Sequence, residues 1–141
     1  NIPMFKLWRQ SRSGMPLSKP MLLALLAAAW PAGTAWAAEL RLLMFEQPGC
    51  LYCARWDAEI APQYPLTDEG RAAPVQRLQM RDPLPSGVEL ARPVTFTPTF
   101  VLMAGEVEFG RLEGYPGEDF FWPMLARLIG QAEPDSTTDP R

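Results

Sequence analysis

From Leu40 to Phe45 the chain is apolar except at Arg41. A short run of this kind predicts a central strand covered on both faces. Pro48 and Gly49 end it. A helix is expected next, from about Cys50 to Ile60. Trp56 and Ile60 fall four apart on one face of it, and Arg55, Asp57 and Glu59 take the exposed side. Thr67 to Gly70 predicts one further short turn. Val75 to Met80 is a second strand of weaker pattern. An irregular stretch follows, broken by Pro83, Pro85, Pro93 and Pro98. Two strands then come in quick succession, Thr99 to Met103 and Glu106 to Leu112. In the second, Val107 and Phe109 alternate with Glu106 and Glu108, and the tight Ala104-Gly105 turn makes the two an antiparallel hairpin. A last helix is expected over about Gly117 to Ile129, with an apolar stripe of Phe121, Met124, Leu125 and Leu128. Pro123 conflicts with it, because proline lacks the N–H donor and crowds the preceding turn. The helix therefore either starts near Trp122 or kinks. The order is strand, helix, strand, irregular link, strand, strand, helix. It predicts an α/β domain with one mixed four-stranded sheet and flanking helices.

The segment before position 38 has a different character. Lys6, Arg9, Arg12 and Lys19 form a basic start without acidic residues, Met21 to Trp30 is unbroken apolar sequence, and Ala35-Trp36-Ala37 places small residues at a cleavage site. That three-part pattern predicts a secretory signal peptide over 1–37. The competing reading is an uncleaved membrane anchor, but the apolar run is well short of the roughly 20 residues a bilayer core requires. The expected organisation is a signal peptide at 1–37, one domain at 38–132 and a disordered polar tail at 133–141. Four of the 13 basic residues and none of the 16 acidic ones lie in the signal. The remainder has a net charge of −7, and every base left in it is arginine. That balance argues against nucleic acid or an anionic membrane surface as a partner.

Export places the chain where disulfides persist. It has two cysteines, Cys50 and Cys53. A bridge closing so short a loop adds little stability in the chain-entropy account, so the pair points to chemistry rather than to stapling. Its position supports this. Cys50 sits where a buried strand gives way to a helix, and the first turn of a helix offers unpaired N–H groups and partial positive charge. Both favour a thiolate, which is the nucleophile. Cys50 is the expected attacking thiol, and Cys53, one turn deeper, the resolving one. Other uses fit less well. A zinc site needs about four ligands, and the chain has no histidine. Haem attachment needs a histidine where Ala54 stands. Met44, Met80 and Met103 lie on strand patterns and read as core rather than as copper ligands. No metal or cofactor is expected. A redox-inert binding module with a structural disulfide is the alternative from a different class.

Pro48-Gly49-Cys50-Leu51-Tyr52-Cys53, Phe96-Thr97-Pro98-Thr99-Phe100 and the run from Gly110 to Phe121, which contains Gly114-Tyr115-Pro116-Gly117-Glu118-Asp119, resemble the periplasmic thioredoxin family. With Arg55 to Ile60 they are most similar to the SoxS-type thioredoxins of bacterial sulfur-oxidation systems. The resemblance covers about Leu40 to Ile129. It implies the thioredoxin-like fold and a cis-proline at Pro98 facing the cysteines, with the backbone of Thr97 free to pair with a substrate strand; Thr97 and Pro98 are therefore the expected substrate-binding residues. It also implies a periplasmic reductant. Electrons would come from a membrane thiol transporter and pass to a protein disulfide or thiol, a sulfur-carrier protein in this subgroup. Another exported thioredoxin task, such as reducing apocytochrome c thiols, is the alternative within the enzyme class. The chain departs from ordinary thioredoxin in three places. Gly49 replaces the usual tryptophan, Leu51-Tyr52 replaces Gly-Pro, and Met44 replaces the buried aspartate beneath the pair. Glu46, on the same strand, is a candidate substitute for that aspartate; the plainer reading is a solvated strand-end carboxylate.

Overall fold

The computed structural model describes residues 38–133. The signal segment at 1–37 lies outside them, as does the tail expected at 133–141 beyond Glu133. Four strands form one sheet: β1 (Leu40–Glu46), β2 (Val75–Gln79), β3 (Thr99–Ala104) and β4 (Val107–Glu113). Their order is β2-β1-β3-β4, with β1 parallel to β2 and antiparallel to β3, and β3 antiparallel to β4. The helices are α1 (Leu51–Glu59), α2 (Asp68–Ala72) and α3 (Glu118–Ala132), with a 3-10 turn at Tyr64–Leu66. This is the mixed sheet with flanking helices expected of a thioredoxin-like α/β fold.

Because β1 and β3 are central and covered on both sides, their residues divide between two cores. Leu42, Met44, Phe100 and Leu102 face α1 and α3, where Trp56, Phe121, Leu125 and Ile129 close over them. Leu43, Phe45, Val101 and Met103 face the other way, under Val88, Leu90 and Val94. No helix forms between β2 and β3, so this second cover is the proline-rich stretch itself.

Several expectations need correction. Helix α2 is the short turn expected after Thr67, carried on to Ala72. Its N-cap Thr67 accepts the Gly70 N–H at 3.0 Å, and Gly70 packs so tightly on the Tyr64 carbonyl that a side chain has no room. Helix α3 starts at Glu118, close to the expected Gly117, and of the two ways of placing Pro123 the start near Trp122 does not hold, since the helix runs through it. Pro123 deprives the Asp119 carbonyl of its helical donor, but both residues are exposed and water can replace it. The stripe of α3 is narrower than expected: Phe121, Leu125 and Ile129 are buried, while Met124 is 43% exposed. In β4 the expected alternation is reversed. Val107 and Phe109 are exposed, and the side chain of Glu108 is only 4% exposed. The cause is a register shift opposite Leu102 and Met103: Met103 pairs with Glu108 and Leu102 with Gly110, leaving Phe109 as the extra residue. Such a bulge lets Glu108 and Arg111, three apart, share one face, which a regular strand of period two forbids.

Candidate active site

Cys50 is the N-cap of α1, in extended conformation, and its Sγ accepts the backbone N–H of Cys53 at 3.1 Å. The first turn of α1 has no acidic residue to offset its positive end. A thiolate at Cys50 would therefore receive a charge-assisted bond at the favourable pole of the helix. The two cysteines are bridged, with S–S 2.07 Å and Cα–Cα 5.2 Å. Cys50 is partly exposed, whereas Cys53 is buried in the helix-covered core that also holds Met44 and Trp56. The strand places these groups: β1 ends at Glu46, and Gly49, at φ 78°, turns the chain into the helix.

Two depressions flank the pair. One is a groove of about 670 Å³ between Tyr52 and Arg55 of α1, the Phe96-Thr97-Pro98 loop and the segment Gly114–Pro116. The Thr97-Pro98 peptide bond is cis. Gly114 donates its N–H to the Pro98 carbonyl at 2.8 Å, and Thr99 donates its hydroxyl to the Phe96 carbonyl at 2.9 Å. Neither the N–H nor the C=O of Thr97 has a partner among the described residues. The structure thus puts Thr97 and Pro98 across the groove from Tyr52, one of the two residues between the cysteines. Tyr52 and Phe96 are exposed apolar side chains on its rim.

The other depression lies on the opposite side of α1 and is lined by Glu46, Asp57 and both cysteines. Glu46 is not the solvated strand-end group of the plainer reading. Its carboxylate accepts from Arg77, which also donates to Asp57 at 2.6 Å, and its side chain is 19% exposed. The Arg77 guanidinium lies 5.7 Å from the Trp56 ring. Hydrogen bonds to Asp57 and Glu46 hold Arg77 above its ordinary value.

A second network was not anticipated from the sequence. Arg55 Nε donates to Glu59 at 2.8 Å, and the Tyr115 hydroxyl donates to the other oxygen of Glu59 at 2.5 Å. The Tyr115 bond first, then Arg55, holds the Glu59 carboxyl below its usual range. Burial, followed by the bond to Glu59, pushes the Tyr115 hydroxyl up. Spacing of four along a helix signals Arg55 and Glu59 as a pair, but Tyr115 is 56 residues away and only the fold brings it in.

A buried strand leading into an N-capping Cys-x-x-Cys, faced across a groove by a cis-proline loop, defines a thiol–disulfide oxidoreductase of the thioredoxin class. Residues 37–129 match the thioredoxin-like domain family, and the chain belongs to it. Among solved structures, it is similar to the periplasmic thioredoxin SoxS from Paracoccus pantotrophus in its reduced form. The identity is 96% and the TM-score 0.67, over 67% of this chain and 100% of that one. No curated protein matches the chain.

Proposed function

We propose that the chain is a periplasmic reductant whose domain spans 38–132 and whose partner is a sulfur-carrier protein. The observation that carries the chemistry is the capping of α1 by the Cys50 sulfur, with Cys53 buried behind it. The Cys50 thiolate attacks a partner disulfide; one partner sulfur leaves as a thiolate and a mixed disulfide forms. The Cys53 thiolate then attacks Cys50 Sγ, the second partner sulfur leaves, and the Cys50–Cys53 bond closes. Two electrons have passed to the partner, and a membrane thiol transporter restores the dithiol. Thr97 and Pro98 form the wall on which the substrate chain lies; the unpaired backbone groups of Thr97 support this, since an extended segment would satisfy them. The signal pattern at 1–37 and the periplasmic character of the SoxS relative support the compartment. The likeness to SoxS-type thioredoxins supports the partner.

Trapping tests the reading. Cys53→Ala should leave Cys50 able to attack and unable to let go, so disulfide-linked adducts accumulate in the periplasm and disappear on reduction. Mass spectrometry of the adducts should find a sulfur-carrier protein foremost; apocytochrome c in its place would reassign the task. Adducts forming with Cys50→Ala instead would reverse the two roles. A wild-type disulfide that resists dithiothreitol, with no adduct from either variant, would make the bridge structural.

A further inference from the structure

Of the residues around the groove beside the cysteines, two are charged, Arg55 and Glu113. Glu113 is already engaged, 2.6 Å from Arg92 and 3.7 Å from Arg111. Arg55 is held differently. Its Nε is tied to Glu59, and neither Nη group meets an acceptor among the described residues. Glu59 is anchored in turn by the hydroxyl of Tyr115, which is buried, and the Arg55 guanidinium lies 6.0 Å from the Tyr115 ring. Over half of the Arg55 side chain is exposed, and the nearest position of the following segment, Gly117, carries no side chain, its φ of 104° being one that other residues rarely adopt. A chain of three residues from core to surface therefore fixes one nitrogen of a guanidinium and leaves its outer edge free at the groove. That edge is the part of arginine that grips a carboxylate with two parallel hydrogen bonds. Because the side chain is already ordered, less conformational freedom is lost when it binds.

We infer that Arg55 is a specificity-determining residue: it selects substrate segments that carry a carboxylate close to the reacting cysteine. The inference rests on the oxidoreductase reading above. The groove also sets the spacing. Tyr52 and Arg55, three apart, share a side of α1. Arg55 lies five residues beyond Cys50, about 7–8 Å along the helix axis. An extended peptide covers that distance in about two to three residues. The carboxylate is either an acidic side chain at that offset or the free C-terminus of a segment that ends there. The net charge of −7 on residues 38–141 repels an anionic partner at long range, so the gain comes from the docked contact and not from steering.

Symmetric disulfides of three short glycine-rich peptides test this, each with one cysteine. The first has an amidated C-terminus and no acid. The second is the same peptide ending in a free carboxylate two residues after the cysteine. The third is amidated and has aspartate at that position. Cys50 attacks one sulfur of the disulfide and expels one peptide thiolate, and Cys53 then expels the other, so the reduced protein loses one pair of electrons for each disulfide cleaved. The wild-type chain should reduce one or both carboxylate peptides about two- to fivefold faster than the neutral one. Preference for the second peptide assigns the carboxylate to a chain end, and for the third to an acidic side chain. The readout is the ratio of rates, because loss of a merely structural arginine slows all three peptides alike. Arg55→Gln should bring the ratio to about one and Arg55→Lys should restore part of it. In the wild type, without any substitution, raising ionic strength toward 1 M should lower the ratio by screening. Equal rates for all three peptides, or a preference that survives Arg55→Gln and high salt, would overturn the inference and leave the oxidoreductase reading standing. Failure to reduce any of them would overturn both.

Discussion

On one side of the sheet Leu42, Met44, Phe100 and Leu102 lie under helices; on the other Leu43, Phe45, Val101 and Met103 lie under a stretch with no helix or strand. The same two strands supply both rows, so the difference lies in the covers. A helix satisfies its own backbone through internal hydrogen bonds and needs only an apolar stripe to dock. The irregular cover must find partners elsewhere. Its prolines reduce the demand by removing donors. Strand β4 and the turn that leads into it answer the rest. Glu89 donates to the Glu106 carbonyl at 2.8 Å and accepts from Glu108 N at 3.0 Å. The Glu108 carboxylate accepts the Ala91 N–H at 2.7 Å. Arg111 grips Glu108 with Nε and Nη2 and donates to the Arg92 carbonyl at 2.8 Å. A buried ion pair here does the work that hydrogen bonds inside a helix do on the other face. The active site uses both covers: α1 presents the cysteines, and the irregular segment leads into the Thr97-Pro98 loop opposite them.

The largest effect is expected on the helix-covered face. Trp56 is 1% exposed and meets the rings of Phe100, Phe121 and Tyr64 at centroid distances of 5.6, 6.1 and 6.0 Å. Trp56→Ala should cost about 3–5 kcal/mol in urea unfolding, from lost burial and the cavity left behind. A loss below about 1 kcal/mol would mean that this face is not the dominant core.

On the other face, Arg111→Met leaves Glu108 buried without its cation and should cost about 3 kcal/mol, toward the low end for a broken buried pair. The double variant Arg111→Met, Glu108→Leu sharpens the contrast. Replacing a buried pair by apolar residues is often neutral, but here the Ala91 N–H and the Arg92 carbonyl would also lose their partners; both residues are exposed and water takes over, so each lost bond costs about 0.5–1.5 kcal/mol. The double variant should therefore recover only part of the loss, with faster amide exchange at Ala91. Full recovery would show that the cover needs no polar anchor.

The helix-covered face was the more legible one. Trp56 and Ile60 at helical spacing, the apolar run of β1 and the Cys-x-x-Cys at its end report local geometry, and local geometry is what periodicity encodes. The groove motif around Pro98 was legible only through a resemblance. On the other face the prolines announce the irregular cover itself, but not the strand that serves it, because that logic is not local. In β4 the pattern of Val107 and Phe109 against Glu106 and Glu108 points inward by period two, and the bulge at Phe109 turns Glu108 in and Val107 out. No spacing rule announces that Glu108 serves Ala91, 17 residues away, or that Glu59 serves Tyr115.

The smallest effect is a difference in acid sensitivity between the two faces. Hydrogen bonding from Arg111 comes first among the causes that hold the Glu108 carboxyl below its usual range; the Ala91 N–H and the charges of Arg111 and Arg92 add to it against the opposing effect of burial. Folded Glu108 thus gives up its proton more readily than an unfolded glutamate, whose pKa is about 4.3. The unfolded chain binds more protons as pH falls past that value, so the stabilisation is complete above it and is lost as pH drops through the lower folded value. Glu108→Gln should be less stable than wild type near neutrality, and the two stability curves should converge as pH falls below about 4. Glu59, on the α1 side, is lowered as well, first by Tyr115 and then by Arg55, but Arg55 is 54% exposed and water screens the pair. Glu59→Gln should therefore converge with wild type over the same range from a smaller initial gap. Urea midpoints measured from pH 3 to 7 separate the cases, and a gap for Glu59→Gln equal to or larger than that for Glu108→Gln would contradict the assignment of the buried pair to the helix-free face.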